Sequence, residues 1–319
     1  MKKVLIRLNV TIILLLTLLM SVSCYKNGLN SITSSSSLQS ASASFESSKS
    51  SYVSSVSLIS TSANSEASSS TISQIPDNKP IAVIGGDGLL IGGYLNKSIK
   101  DVNSIEPFIT GKEKYSIIKG FEVIGTNILG SKIEKQEPGN GSIITLSTEI
   151  KFDAAISCDW NPLPRIPSIE NNDKPSDKAT IAGILKQNGI INNNPTIRQN
   201  FKIDLDNDGI NEVLINASNI EYSSPQIKTK ASNYSIIILQ KVVNGKVTNI
   251  FLEKFIIPSD YIENENDWQI DYVSKILTVF DINNDNNLEI LIGTRYYEGN
   301  SYAIHDSVPI KILENGWGA

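Results

Sequence analysis

Apolar residues in this chain fall mainly into short runs, which are typical of β-strands rather than of long amphipathic helices. The runs predict strands over residues 81–84, 89–91, 115–123, 133–136, 143–150, 271–280, 289–295 and 309–313. Asn244-Gly245 predicts a hairpin over 234–255, because this dipeptide supplies the positive φ angles of a tight turn. One short helix, 178–188, is predicted from its apolar face and its stop at Gly189. The pattern therefore predicts a mainly β fold.

The N-terminal residues follow a different pattern. Lys2, Lys3 and Arg7 precede an apolar run of about 11 residues, whereas a spanning helix needs about 20. Ser23-Cys24 then resembles the end of a lipoprotein signal, although Ser21 stands where that family prefers Leu. This resemblance implies a bacterial protein held outside the cytoplasm by lipidated Cys24 at the cell membrane. Ordinary cleavage, which would leave Cys24 as a free thiol, is the alternative.

A serine-rich segment follows the signal. About half of residues 31–73 are Ser, and such a composition cannot bury enough apolar surface to fold. It predicts a disordered linker with a typical reach of about 40 Å. The predicted organisation is a signal peptide over 1–23, the linker over 24–76, a β-rich region over 77–177 and a loop-bearing module over 178–319.

Charge and composition exclude several functions. The net charge of −5 becomes more negative without the signal, where 25 basic residues remain against 33 acidic ones. This balance argues against nucleic-acid binding, and the single His305 excludes sites with several histidines. The segment 85–88, Gly-Gly-Asp-Gly, resembles a phosphate loop. However, Ile91 replaces the third glycine of a dinucleotide motif and no helical pattern follows, so we interpret it as a β-turn and expect no nucleotide.

Two acidic segments carry the candidate chemistry. Residues 204–212 and 281–289 place oxygen-bearing side chains at positions 1, 3, 5 and 9, and a backbone carbonyl is available at position 7. Hard cations such as Ca²⁺ bind six to eight oxygen ligands, whereas soft metals prefer sulphur or nitrogen. Neither segment is an EF-hand, because position 12 of the first is Ile215 and a β-like run follows. An Asx-turn without metal is the alternative.

The two segments lie 77 residues apart and therefore form an internal repeat. Asn286 replaces Gly209 at position 6, which is tolerable because Asn adopts left-handed backbone more readily than other non-glycine residues. The first segment has four acids and the second has three. We therefore expect the second to bind metal more weakly.

Strand, acidic loop and apolar strand together resemble the FG-GAP or VCBS-type repeat of integrin-like β-propeller proteins. The resemblance implies structural Ca²⁺ at two sites and a propeller-like or partial-propeller assembly, since two copies cannot close a propeller. A wider likeness, from Trp160 to Gly318, is to uncharacterised bacterial surface proteins. The implied ligands are Asp204, Asp206, Asp208, Ile210 and Glu212 in the first loop, and Asp281, Asn283, Asp285, Asn287 and Glu289 in the second.

Two functions remain open from the sequence. The first is a binding or adhesion module for an extracellular protein or glycan, for which the candidate contact residues are Trp160, Trp268, Tyr272, Tyr296, Tyr297 and Tyr302. The alternative is a surface hydrolase with paired carboxylates, for which the candidates are Asp159, Asp267, Asp271 and His305. No motif for nucleophilic catalysis supports the hydrolase, and Cys158 is expected to be buried and inert. The chain is therefore more consistent with a binding protein than with an enzyme.

Overall fold

The computed structural model describes residues 76, 78–136, 141–225, 228–262, 270–308 and 310–317. These residues all belong to one compact unit, Ser68–Ala319. The predicted signal peptide, Cys24 and the serine-rich linker up to residue 75 lie outside the described residues, as do Asp267 and Trp268. None of the described helices combines the length and the hydrophobicity that crossing a membrane requires.

The described part of the chain is mainly β. Its strands are β1 Ile81–Gly85, β2 Leu90–Leu95, β3 Ser98–Lys100, β4 Lys114–Lys119, β5 Glu122–Leu129, β6 Glu134–Gln136, β7 Gly141–Ile143, β8 Ala154–Ile156, β9 Ser168–Ile169, β10 Ile197–Ile203, β11 Glu212–Ser218, β12 Tyr234–Val243, β13 Lys246–Ile256, β14 Val273–Phe280, β15 Glu289–Tyr296, β16 Gly299–His305 and β17 Lys311–Trp317. Its helices are α1 Val102–Ile105 and α2 Pro175–Gln187, and one 3₁₀ turn covers Glu106–Phe108. The prediction of a single short helix was therefore incomplete, because α1 is only one turn long and its Asp101 cap was not recognised.

The strands form antiparallel sheets in three main groups. The first sheet has the order β3-β2-β1-β8-β4-β5, and the small β6-β7 sheet lies outside it. The second sheet has the order β13-β12-β11-β10-β9 and the third has the order β14-β15-β16-β17. The second and third sheets are meanders, in which each strand pairs with its neighbour in sequence. In this order one acidic loop joins β10 to β11 and the other joins β14 to β15.

One apolar core joins the three sheets. It contains Val83 from the first sheet, Leu239 from the second, and Val279 and Ile304 from the third, all fully buried. Residues on both sides of the predicted boundary at 177 contribute to this cluster, while two smaller clusters lie each on one side of it.

Helix α2 closes the second sheet on its outer face. Pro175 begins the helix, where a missing amide costs little, and Gly189 follows its end with a φ of 83°. Ile181 and Leu185 are fully buried against the sheet, and burial of each such side chain stabilises the fold by about 1.5–3 kcal/mol. The helix begins three residues before the predicted start, because Pro175 was not recognised as its first residue.

The hairpin prediction matches β12 and β13 closely, and the turn residues Asn244 and Gly245 have φ angles of 52° and 73°. The strand predicted over 143–150 was wrong, since only Gly141–Ile143 is a strand there. The pair Gly92-Gly93 lies inside β2, which continues beyond the predicted end of this strand at residue 91. A side chain at Gly93 would clash with the Ile81 carbonyl, 1.9 Å from an ideal Cβ, so the close approach of β1 requires glycine.

Candidate metal centre

The first loop, residues 204–212, is organised by its first and last carboxylates. Asp204 accepts hydrogen bonds from the backbone amides of Asp208 at 3.2 Å and Gly209 at 2.9 Å. Glu212, which begins β11, accepts one from the amide of Leu205 at 2.9 Å. The loop therefore closes around its own acidic side chains instead of extending into solvent.

The second loop, residues 281–289, has the same hydrogen bonds at the same positions. Asp281 accepts from the amides of Asp285 at 3.2 Å and Asn286 at 3.0 Å. Glu289 accepts from the amide of Ile282 at 2.9 Å. Since all three bonds recur at an offset of 77 residues, the two loops share one backbone conformation.

Left-handed residues recur in the same way. Asn207 and Asn284 both have a φ of 59°, and position 6 is left-handed in both loops, with 86° at Gly209 and 66° at Asn286. Asn tolerates this conformation better than other residues with side chains. The replacement of Gly209 by Asn286 in the second loop is therefore compatible with the shared conformation.

Position 7 is held by the acid at position 5. The amide of Ile210 donates to Asp208 at 2.7 Å, and the amide of Asn287 donates to Asp285 at 2.7 Å. In the second loop, the Asn283 side-chain amide also donates to Asp285 at 2.9 Å. These contacts fix the segment whose carbonyl is the expected backbone ligand.

The two loops lie side by side. The amide of Leu288 in the second loop donates to the carbonyl of Leu205 in the first at 2.8 Å. Both leucines are fully buried in the common core. A conformational change in one loop therefore affects the backbone of the other.

Arg165 binds both loops from outside the repeat. Its guanidinium donates to the carbonyls of Asp204 at 2.8 Å, Leu205 at 3.3 Å and Asn286 at 2.6 Å, and to the side chain of Asn207 at 3.3 Å. A planar guanidinium can make such divergent bonds, which a lysine ammonium matches poorly. Arg165 therefore positions the two loops relative to each other.

The segment before Arg165 makes further contacts with the second loop. The Trp160 indole donates to the carbonyl of Asp281 at 3.0 Å, and the Asp281 amide donates to the carbonyl of Pro162 at 2.9 Å. The sequence analysis predicted no strand or helix in this segment and named Trp160 only as a candidate contact for a partner. Its role was missed because these partners lie about 120 residues away.

Carboxylates converge in the first loop. Asp204, Asp206 and Asp208 each place an oxygen within 4.8 Å of the others. One oxygen of Asp206, Oδ1, is buried without a hydrogen-bond partner among the described residues. A buried unpaired carboxylate oxygen is costly, and a cation would satisfy it. This donor set, made only of oxygens, fits a hard divalent cation.

A lysine also reaches the first loop. Lys241 on β12 places its Nζ 2.5 Å from Asp206 and 3.7 Å from Glu212. Burial would lower the pKa of Lys241, but its hydrogen bond to Asp206 and the charge of Glu212 raise it overall. The pKa of Glu212 is raised, chiefly by burial. The ammonium therefore stays charged and partly neutralises the first loop.

The second loop is more deeply buried. Only 1% of Asp281 and 4% of Glu289 is exposed. Burial, followed by the charges of Asp281 and Asp285, raises the pKa of Glu289 to about 8. The pKa of Asp281 is also raised, again mainly by burial. The acids of this loop are therefore unfavourable as ions in the absence of a counter-charge.

The carboxylates considered for hydrolysis have other partners. Asp159 pairs with Lys79, and Asp271 accepts hydrogen bonds from Thr229 at 2.7 Å and Asn233 at 2.9 Å. His305 is 3% exposed and lies 3.4 Å from Glu253. No hydrogen bond or ion pair among the described residues joins two of these candidate groups.

Two further predicted features can be placed. Cys158 is buried, and burial raises the pKa of its thiol to about 12, consistent with an inert residue. Asp87, in the turn that resembled a phosphate loop, accepts hydrogen bonds from the side chains of Asn300, Tyr302 and Trp317 at 2.9–3.0 Å. The turn thus connects the first and third sheets.

The aromatic residues proposed for partner binding divide into two groups. Trp160 and Tyr302 make contacts inside the fold: the Trp160 indole donates to the Asp281 carbonyl, and Tyr302 is buried. Tyr272 instead contacts the rings of Phe255 and Tyr296, with centroids 5.8 and 5.7 Å apart, and it is 42% exposed. We call Phe255, Tyr272 and Tyr296 the aromatic row.

Two sheets contribute to the aromatic row. Phe255 lies on β13 of the second sheet and Tyr296 on β15 of the third, while Tyr272 precedes β14. The Tyr296 hydroxyl donates to the carbonyl of Trp317 at 2.7 Å, which holds the row beside a further exposed aromatic residue.

No family model, curated protein or solved structure matches this chain.

Proposed function

We propose that this protein is a lipid-anchored, extracytoplasmic β-module of the FG-GAP or VCBS type, with calcium bound in both acidic loops. The observation that carries the proposal is the shared conformation of the loops, in which the same three hydrogen bonds recur 77 residues apart. The anchor at Cys24 and the location outside the cytoplasm rest on the N-terminal sequence.

The ion would have a structural role. Each loop joins two neighbouring strands of a meander, so a cation there ties the end of one strand to the start of the next. It also removes repulsion between carboxylates that lie close together. Asp204, Asp206, Asp208, the Ile210 carbonyl and Glu212 would hold one ion. Asp281, Asn283, Asp285, the Asn287 carbonyl and Glu289 would hold the other.

The sheet order supports a partial propeller as the architecture. Strands β14–β17 form a four-stranded antiparallel meander. Strands β10–β13 are four of the five strands of the second sheet, in which the two-residue β9 is an edge strand. An acidic loop joins the first two strands of each of these groups of four. Four-stranded antiparallel sheets are the blades of propellers. In this proposal the first sheet, which packs on the same core, takes the place of a further, degenerate blade.

We expect calcium to stabilise the purified protein. At a tenfold excess of Ca²⁺ over its dissociation constant, each site adds about 1.4 kcal/mol to the free energy of unfolding. Thermal melts in millimolar CaCl₂ and in EDTA measure this gain, and Asp206→Ala is expected to reduce it. Mg²⁺ at the same concentration is the control ion, since it requires a stricter octahedral site. Melting temperatures that are equal with and without calcium would refute the proposal.

For the partner, we propose an extracellular protein or glycan that contacts the aromatic row. Half-exposed rings combine apolar area with low conformational entropy and are enriched at recognition surfaces. In the aromatic row, the Tyr272 side chain is half-exposed, and the hydroxyl of Tyr296 is held by its hydrogen bond to the Trp317 carbonyl. Trp268, which the sequence also named as a candidate, lies outside the described residues.

Substitution of Tyr272 tests this surface. Tyr272→Ala is expected to weaken partner binding by about 1–2 kcal/mol, or roughly tenfold, without changing calcium affinity. Tyr297→Ala is the matched control, since Tyr297 is 52% exposed and contacts no ring of the row. Binding to a glycan array and to cell-wall polymers, measured for both variants, provides the comparison. An equal loss in both variants, or none in either, would argue against the row.

A further inference from the structure

We infer that the Lys241 ammonium competes with calcium for the carboxylates of the first loop, so that the second loop binds calcium more tightly despite having fewer acids. This inference rests on the proposed function, because it concerns the relative affinity of the two loops. It reverses the ranking that the acid count predicts.

The position of Lys241 is fixed by strand pairing. The last registered pair of β11 and β12 is Val213 with Gln240, which places Lys241 one step further, beside Glu212. Its side chain is 17% exposed, and the two carboxylates that it approaches, Asp206 and Glu212, are 26% and 2% exposed. The ammonium therefore lies among partly or fully buried oxygens.

Those oxygens are also the expected calcium ligands. Asp206 Oδ2 accepts from Lys241 at 2.5 Å, which leaves only its Oδ1 unpartnered. Calcium would have to displace the ammonium from Asp206 and Glu212 or accept its repulsion at short range. Either requirement weakens binding in the first loop. The lysine also donates to the carbonyl of Ser307 at 3.4 Å, which gives it a second contact at this position.

The second loop has no lysine at the corresponding place. Strand β16 ends at His305, which pairs with Ile290, and Asp306 follows the strand. The charge of Lys241 also acts on Asp306. Among the described residues, no Lys or Arg forms an ion pair with Asp281, Asp285 or Glu289.

The Arg165 guanidinium, which contacts the second loop, does not neutralise the carboxylates of that loop. Arg165 donates there to the carbonyl of Asn286. Asp281 and Glu289 are almost fully buried. A cation entering this loop therefore meets buried carboxylates without displacing the ammonium or guanidinium of a side chain, and solvent screens its attraction to them less. Calcium should fill the second loop first.

Titration calorimetry with CaCl₂ tests this order. We expect two binding events in the wild-type protein. Asp281→Asn should remove the tighter event and Asp206→Asn the weaker one. Lys241→Met removes the charge while it keeps the apolar stem, and it should tighten the weaker event about tenfold or more. Lys241→Gln should show the same direction, and far-UV circular dichroism verifies that each variant is folded.

Lys254→Met is the matched control, because Lys254 lies on the adjacent strand β13 and its ammonium faces the Phe251 ring. It should leave both dissociation constants unchanged. If calcium binds but the Lys241 variants leave the weaker constant within about twofold, or if Asp206→Asn removes the tighter event, the inference is overturned while the proposed function stands. Absence of calcium binding in the wild type and in every variant overturns both.

Discussion

Replacement of Arg165 by methionine is expected to lower the free energy of unfolding by about 3 kcal/mol. The variant loses charge-assisted hydrogen bonds to three carbonyls, those of Asp204, Leu205 and Asn286. Buried carbonyls left without a donor add to the cost. For a domain of this size, the loss corresponds to a fall in melting temperature of about 6–12 °C. Denaturant unfolding and thermal melts in calcium buffer measure it.

Arg198→Met is the control for this prediction. The Arg198 guanidinium donates to one carbonyl, that of Ser218, and pairs with the exposed Glu221. Its loss should cost about 1 kcal/mol or less. Arg165→Lys should restore little, because one ammonium cannot reproduce the divergent bonds of the guanidinium. If Arg165→Met were as stable as Arg198→Met, Arg165 would not hold the two loops together.

Replacement of Glu289 by glutamine is expected to change stability in opposite directions with and without calcium. In EDTA at pH 7, the variant should be more stable than the wild type by roughly 2–3 kcal/mol. Burial raises the pKa of Glu289 from 4.5 to about 8, so the folded protein must either bind a proton or bury a charge. Glutamine avoids this cost while its carbonyl oxygen still accepts from the Ile282 amide.

The pH dependence follows from the sign of that shift. Because the folded pKa lies above the unfolded one, the folded state binds the proton more tightly, and the wild type loses stability as pH rises from about 4.5 to 8. The advantage of Glu289→Gln in EDTA should therefore be small at pH 5 and largest near pH 8. In saturating calcium the order should reverse, since the variant lacks a charged ligand.

Glu212→Gln in the first loop is the matched control. Lys241 lies 3.7 Å from Glu212, so the charge removed there is already partly neutralised. The gain in EDTA should be smaller than that for Glu289→Gln. Equal stability of Glu289→Gln and wild type across pH 5–8 in EDTA, or equal stabilisation of both by calcium, would contradict the prediction. Urea unfolding at each pH, with and without calcium, provides the measurement.

Local elements with a strong sequence signal were predicted well. The hairpin β12–β13 was found because Asn244-Gly245 requires positive φ angles that few other residues adopt. Strands β14 and β15 were found because their apolar runs flank the second acidic loop. Strand β16 was missed, since Gly299–His305 has few apolar residues and is defined by its pairing with β15. Strand β2 was predicted to end at residue 91, because the close approach of β1 that requires Gly93 cannot be read from the local sequence.

The sequence by itself determined the oxygen-bearing side chains of two loops, their spacing and their left-handed turns, because these depend on residues close together in the chain. Only the tertiary structure decided which charges meet those side chains. Arg165 binds both loops, whereas Lys241 forms its ion pairs with Asp206 and Glu212 of the first loop. These relations depend on strand register and on packing between sheets. Nothing in the local pattern specifies them, because the partners lie tens to more than one hundred residues apart.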